Sequence, residues 1–178
     1  APSANDAIAL MVDDLSARYR QVTAQAASTR SMQSGQDLQR LSNWLVQAHS
    51  VMRVESQREG AISSASEWIL DNFYIIRQAI RQVEEDLPAG YYRRLPKLAE
   101  GPLAGMPRMY GLARDLLTYQ DYHLHLDVIE PALVALQERL PLTMGELWSL
   151  PIFMRYVLVE VLAHTLVDVL SPTAPPDL

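Results

Sequence analysis

Cysteine is absent from the 178 residues of this chain. Its absence excludes disulfide frameworks, thiolate zinc sites and thiol nucleophiles, and it fits a reducing compartment. Basic residues are also few, with 15 lysines and arginines against 21 aspartates and glutamates, for a formal net charge of −6. Because such a chain repels phosphate backbones and anionic lipid surfaces, we expect no nucleic-acid partner.

Several signatures of catalysis are missing as well. The chain has no Gly-x-Ser-x-Gly elbow and no glycine-rich phosphate loop. His123 and His125, close to Asp121 and Asp127, carry side chains that bind metals. Residues two apart point to different sides of a helix, and no further ligands are near, so a solvated loop is the better interpretation. We therefore predict no metal and no cofactor.

Apolar side chains recur at three- and four-residue steps, as on one face of an amphipathic helix. This periodicity predicts helices over residues 7–27, 38–52, 64–83, 108–119, 128–139 and from about 143 onward. No segment alternates with period two. The sequence therefore predicts an all-α bundle of about six helices, in a single domain over residues 1–170 with a Pro-rich tail or linker at 171–178. The tryptophans predicted to pack in its core are Trp44, Trp68 and Trp148.

Two pairs of residues have the spacing of a capping box, in which a hydroxyl and a carboxylate satisfy amides at a helix start. They are Ser64 with Glu67, and Thr143 with Glu146. Glu67 also shares a helical face with Asp71, a pairing that suits acid–base chemistry. Because the capping box already accounts for Glu67, catalysis by this pair is the minority interpretation.

The most apolar stretch, Leu150–Leu170, is the strongest candidate for a membrane span. Each ionisable side chain in it would cost about 2–3 kcal/mol or more in lipid. The residues concerned are Arg155, Glu160, His164 and Asp168. We therefore predict a buried helix of a soluble domain, one that is central or meets a partner, without direct membrane insertion.

Helix breakers are dense between Leu87 and Pro107, where the chain has four prolines and three glycines. This composition predicts a long irregular connector. An irregular segment of this length is unusual inside a compact domain, so we expect it to be packed in place and to have a function.

The connector and its flanks concentrate tyrosines and cations in an otherwise acidic chain. The candidate binding or interface residues are Tyr91, Tyr92, Arg93, Arg94, Lys97, Arg108 and Tyr110. Tyrosine rings can stack on sugars, and guanidinium groups donate hydrogen bonds to hydroxyls or carboxylates. The favoured interpretation of the arginines is intramolecular: they neutralise the acidic end of the third helix, Glu84–Asp86. The arginines considered for that role are Arg77, Arg81, Arg93 and Arg94.

Four strings resemble the amino-terminal region of the cyclic β-1,2-glucan synthase family. They are EWILDNF at 67–73, DLPAGYY at 86–92, LPKL at 95–98 running into GPLAGMPRMYGLA at 101–113, and PLTMGELW at 141–148. The resemblance implies a very large inner-membrane enzyme that polymerises glucose from UDP-glucose, cyclises the product and carries a phosphorylase-like domain near its carboxyl end. It also implies that this chain is a leading fragment, without the spaced aspartates and the Gln-x-x-Arg-Trp block of the glycosyltransferase.

From this resemblance we expect an accessory helical domain, with a scaffold or regulatory role, and no catalysis by the segment alone. Its expected partners are the other domains of the parent synthase, on the cytoplasmic side of the bacterial inner membrane. The alternative is a carbohydrate-binding module for the β-1,2-glucan chain, acting through Tyr91, Tyr92, Arg93 and Tyr110.

Overall fold

The computed structural model describes residues 4–23, 34–59 and 63–170. The helices in these ranges are α1 (Ala4–Arg18), α2 (Ser34–Glu59), α3 (Ser64–Asp86), α4 (Ala89–Arg94), α5 (Arg108–Thr118), α6 (Leu126–Arg139) and α7 (Met144–Leu170). Two short strands, β1 (Val22–Thr23) and β2 (Lys97–Leu98), pair antiparallel, with Val22 opposite Leu98. The predicted all-α class is confirmed.

The described residues fall into two compact units. The first takes its residues from the ranges 1–32 and 89–154, and the second from 33–88 and 155–178. In the first unit α1 packs against α6, and α5 contributes much of the buried core, including Leu112 and Leu116. In the second unit α2 packs against α3. The single domain over 1–170 stays a prediction, and the tail at 171–178 lies outside the described residues.

Helix α3 follows its amphipathic pattern, burying Ile69, Phe73 and Ile76. Its N-cap is Ser63, whose hydroxyl accepts a hydrogen bond from the Ser66 N–H at 3.1 Å. The predicted capping box of Ser64 with Glu67 is therefore wrong. Ser64 is already the first helical residue, so its backbone no longer has the extended conformation that a capping side chain requires.

Helix α1 is shorter than its periodicity predicts. It ends at Arg18, and the last bond of its ladder runs from the Tyr19 N–H to the Leu15 carbonyl. Val22, which continues the apolar stripe, instead enters β1 opposite Leu98. The strand pairing therefore overrides the local helical preference, and residues 24–27 of the predicted helix lie outside the described residues.

The connector between α3 and α5 is more regular than predicted. Its prolines mark element boundaries, with Pro88 just before α4 and Pro96 between α4 and β2. The next residues close a turn in which the Leu98 N–H donates to Met106 and the Gly105 N–H donates to Leu98, both at 2.9 Å. Gly101 and Gly105 adopt φ values of 84°, which suit glycine. The prediction of one long irregular segment is therefore wrong, because its backbone groups find partners in a short helix, a strand and a closed turn.

Helix α7 runs through Pro151. Its most apolar window has a mean hydropathy of 1.6, and 44% of that window is buried. Within the described part of the chain, α7 is the helix that is long and apolar enough to cross a membrane by length and composition.

The three tryptophans do not share one environment. Trp44 of α2 is buried, as predicted, whereas Trp68 of α3 and Trp148 of α7 are 53% and 69% exposed. The core prediction is therefore wrong for two of them. On α3 the buried stripe starts one residue later, at Ile69, and this offset turns the Trp68 ring towards solvent.

Candidate functional site

Arg108 and Glu146 form a buried ion pair between the first residue of α5 and the first turn of α7. Arg108 Nε lies 2.7 Å from Glu146 Oε1, and Arg108 Nη2 lies 2.8 Å from Oε2. The side chains are only 6% and 0% exposed. Nη2 also donates to the Pro141 carbonyl at 3.2 Å. This two-point geometry is the strong form of an arginine–carboxylate contact, and it fixes both side chains in one orientation.

Glu146 also caps α7. Its Oε2 accepts hydrogen bonds from the Thr143 N–H at 2.9 Å and from the Thr143 hydroxyl at 3.1 Å. In return, the Glu146 N–H donates to the Thr143 hydroxyl at 3.3 Å. The capping box predicted for Thr143 and Glu146 is therefore confirmed. One carboxylate thus joins the start of α7 to the start of α5.

Tyr91 attaches α4 to the same turn of α7. Its hydroxyl donates to the Gly145 carbonyl at 2.5 Å, and partial burial raises the pKa of the phenol. Arg108, Glu146, Thr143, Tyr91 and Gly145 together make what we call the ion-pair network. It holds α4, α5 and α7 at the point where three of the family-like strings meet.

Tyr92 and Lys97 are both buried within the first unit. Lys97 is the one lysine in the sequence. Its Nζ donates to the Tyr92 carbonyl at 2.5 Å and lies 3.9 Å from the centre of the Tyr92 ring. Burial lowers the pKa of Lys97 to about 8. This cation is therefore held by a carbonyl and an aromatic face, and it does not reach the surface.

The remaining predicted residues divide between core and surface. Tyr110 is buried, with its ring edge 6.2 Å from the ring of Phe153. Arg93 and Arg94, at the end of α4, are exposed. Of the seven predicted residues, three are accessible to a ligand at the surface: Arg93, Arg94 and the half-buried Tyr91. A binding role for the set stays a prediction.

The acidic end of α3 pairs with a different arginine from the four that the sequence suggested. Arg155 of α7 lies 3.9 Å from Asp86, in the position that the prediction had given to other arginines. Arg77 and Arg81 are exposed. The rings of His123 and His125 stack 5.9 Å apart on the surface. Among residues 4–23, 34–59 and 63–170, no three potential metal ligands come together.

Two features escaped the sequence analysis. The first is a polar network on α1 and α5, in which Arg18 contacts Asp14 and Asp115, both at 2.5 Å. The Tyr19 hydroxyl donates to Asp115 at 2.7 Å, and the Tyr119 hydroxyl donates to Asp14 at 2.6 Å and lowers the pKa of that carboxyl. The Asp14–Arg18 spacing of four residues was its one visible signal, since the other contacts join residues far apart in the chain.

The second feature is an apolar groove of about 410 Å³ between α6 and α7. Its lining residues are Leu133, Val134, Gln137, Glu138 and Leu147. The exposed Val134 was its signal, an apolar residue outside the stripe that α6 buries at Ile129, Ala132 and Leu136.

The fold and the site define a class: a predominantly α-helical chain in which a buried ion pair joins α5 to α7. Over 120 residues, or 65% of the chain, the sequence is 32% identical to the cyclic beta-(1,2)-glucan synthase NdvB of Rhizobium meliloti (strain 1021). A region of this chain is therefore related to that synthase, which confirms the resemblance. The chain spans about 4% of the length of this relative. No family model matches the chain, and no solved structure matches it.

Proposed function

We propose that this chain serves cyclic β-1,2-glucan synthesis as an accessory domain, one that supports the glycosyltransferase of a parent synthase by packing on it or regulating it. The relation to a glucan synthase supports a role in that process. The observation that carries the accessory role is the Arg108–Glu146 pair, which joins two family-like strings 38 residues apart. Buried polar residues whose hydrogen bonds are all satisfied by one another make the local structure rigid. A domain that packs on another domain requires such a rigid surface.

The proposed partners are the other domains of that parent, and the proposed location is the cytoplasmic side of the inner membrane. The net charge of −6 disfavours nucleic acid as a partner. The length and apolar composition of α7 fit a membrane-linked protein. The surface proposed to meet the parent is the segment from Leu87 to Pro107 with its exposed arginines, Arg93 and Arg94.

The test is glucan synthesis by a parent synthase that carries this segment. We expect deletion of residues 64–165 to lower the yield of cyclic glucan from UDP-glucose, measured per amount of synthase in the membrane. Arg108→Met should lower it in the same direction, because the buried Glu146 loses its partner. The matched control is Arg114→Met, the same change at an exposed position of α5. Normal yield from the deletion variant, with normal synthase abundance, would refute the accessory role.

Direct binding of β-1,2-glucan is the second candidate function. It is favoured by one observation: Tyr91 and Arg94, three residues apart on α4, combine a half-buried aromatic ring with an exposed guanidinium group. Titration of the labelled chain with β-1,2-glucan oligosaccharides should then shift amide resonances of α4, and Arg94→Ala should reduce the shifts. Unchanged α4 resonances at millimolar oligosaccharide would refute direct glucan binding, and only the accessory role would remain.

A further inference from the structure

The groove between α6 and α7 exposes apolar surface that the ion-pair network does not use. Val134, in its wall, is 62% exposed, and Leu133 and Leu147 complete its apolar lining. Two larger side chains lie beside Leu147 on the first turns of α7, Met144 at 60% and Trp148 at 69% exposure. Met144 is three residues from Leu147 and four from Trp148, so the three are neighbours on the helix surface. Grouped exposed apolar residues mark an interaction site more often than scattered ones do.

The family-like string at the start of α7 divides its residues between two tasks. Thr143 and Glu146 face inward and hold the helix start, as described above. Met144, Leu147 and Trp148 take no part in that network, and they face the groove or the solvent. Because tryptophan is among the residues that contribute most to binding energy, the exposed Trp148, next in the chain to the groove-lining Leu147, points to a partner.

The groove is chemically suited to an apolar ligand. The Gln137 side chain is engaged with its own chain, since it donates to the Leu142 carbonyl at 3.0 Å and accepts from the Leu142 N–H at 2.9 Å. Glu138 is therefore the lining residue that offers an exposed charged group. A sugar ring needs several hydrogen-bond partners in its site, and this lining does not supply them.

The rim of the groove is acidic. Glu130, Val134 and Glu138 recur at four-residue steps on the exposed side of α6, so both carboxylates flank the apolar wall. The neighbouring cation, Arg139, is engaged in an ion pair with Asp13 of α1. Because the rim is negatively charged, an anionic bilayer is disfavoured as the binding partner of the groove. A second copy of this chain is disfavoured as well, since its net charge is −6.

We propose that this groove docks a cationic amphipathic helix, whose apolar side chains fill the space between Val134 and Leu147 and whose lysines or arginines meet Glu130 and Glu138. Docking of an apolar helical face into a hydrophobic groove is a common mode of recognition. The groove is lined by α6 and α7, whereas the surface proposed to meet the parent synthase is on α4 and the connector, so the two proposals are tested with different variants.

The probe is a synthetic leucine–lysine peptide of about 14 residues, which forms an amphipathic helix of about four turns. The chain is labelled with 5-fluorotryptophan, and each of its three tryptophans is assigned by a Trp→Phe variant. Saturable binding should shift the ¹⁹F resonance of Trp148 and leave that of the buried Trp44 unchanged. Val134→Asn, which removes the apolar wall without adding charge, should raise the Kd about tenfold or more, as expected when an interface centre is disrupted. Glu138→Lys should raise it less, and the matched control Glu84→Lys, an exposed glutamate of α3, should leave it unchanged.

Three kinds of result would overturn the proposal. One is an unshifted Trp148 resonance at saturating peptide, or equal binding by the Val134→Asn variant. Another is equal binding of a leucine–glutamate peptide, because the acidic rim would then not discriminate between cationic and anionic peptides. The last is a Trp148 shift produced by anionic vesicles, by raising the protein concentration or by β-1,2-glucan oligosaccharides, any of which would assign the surface to another occupant.

Discussion

Lys97 shows how one buried side chain links structure to pH. Its ammonium group contacts a carbonyl and an aromatic ring, and none of the salt bridges within the described residues includes it. Burial lowers its pKa from 10.5 to about 8. Below about pH 8 both the folded and the unfolded chain are protonated, and the folded chain bears the full cost of the buried charge. Between about pH 8 and 10.5 only the unfolded chain keeps the proton, so the free energy of unfolding rises with pH.

Replacement of this lysine should therefore stabilise the protein near neutral pH. We expect Lys97→Met to raise the free energy of unfolding at pH 7 by about 1–3 kcal/mol, because the burial cost disappears while most of the packing volume stays. The rise in stability between about pH 8 and 10 should disappear with it. Urea unfolding followed by circular dichroism at several pH values measures both effects.

The sequence offers a direct check on this reasoning. Because Lys97 is the one lysine, isotope labelling of lysine gives a single side-chain signal. Its titration midpoint should lie near pH 8 in the folded protein. A midpoint near the ordinary value of about 10.4 would show that the ammonium group is solvated, and the stability prediction would then fail with it.

The Arg108–Glu146 pair should behave as a coupled unit. Loss of one partner leaves the other charge buried, so we expect Arg108→Met to cost about 3–5 kcal/mol of stability. The double variant Arg108→Met/Glu146→Met should cost less than the sum of the two single variants, because no uncompensated charge remains. Chemical unfolding of the four proteins measures the coupling. Additive losses would show that each side chain contributes through its own packing alone, and Arg114→Met is the surface control.

The start of α3 provides a test at the level of secondary structure. Ser63→Ala should destabilise the protein by about 1 kcal/mol, because the Ser66 N–H loses its acceptor. Ser64→Ala should change stability by less than about 0.5 kcal/mol, since Ser64 is a helical residue at the surface. The two neighbouring serines differ only in position, so thermal unfolding of the pair isolates the cap. Equal effects would contradict the observed N-cap.

The sequence predicted the elements whose causes are local. Periodicity located α5 at 108–119, against Arg108–Thr118 observed, and α6 at 128–139, against Leu126–Arg139. It failed where partners come from far along the chain. β1 forms because Val22 meets Leu98, and no pattern near Val22 reveals that pairing. In the connector, the prolines were correctly recognised as breakers, but breakers also delimit short elements such as α4.

The candidate site divides in the same way. The capping box of Thr143 with Glu146 was visible from spacing, because capping is a local interaction. The second task of Glu146, which binds Arg108, was hidden because the two residues lie 38 positions apart. Side-chain type alone suggested a binding role for Arg108 and Tyr110, and it could not show that both are buried. The same limit applies to Trp148, whose exposure depends on the neighbours of α7.

For the molecule as a whole, the open physical question is which environment α7 prefers. Its apolar length would allow it to cross a bilayer, but two of its charged residues are engaged within the protein. Glu146 is fully buried against Arg108, and Arg155 lies near Asp86. Transfer of α7 into lipid would break these contacts and would place charged groups in hydrocarbon at about 2.5–3.5 kcal/mol each near the helix centre. We therefore expect the folded protein to hold α7 more favourably than a bilayer would.

We accordingly expect the purified chain to remain in the aqueous fraction when it is floated with vesicles of neutral lipid. The matched variant Arg155→Leu/Glu160→Leu should move towards the vesicle fraction, because it removes both charges from the central part of α7 and loses the contact with Asp86. Protection of α7 from added protease distinguishes insertion from adsorption at the surface. If the unmodified chain floats with the vesicles and α7 is protected from protease, the packing of α7 in the protein is too weak to compete with lipid. The ion-pair network would then form only when the protein is outside the membrane.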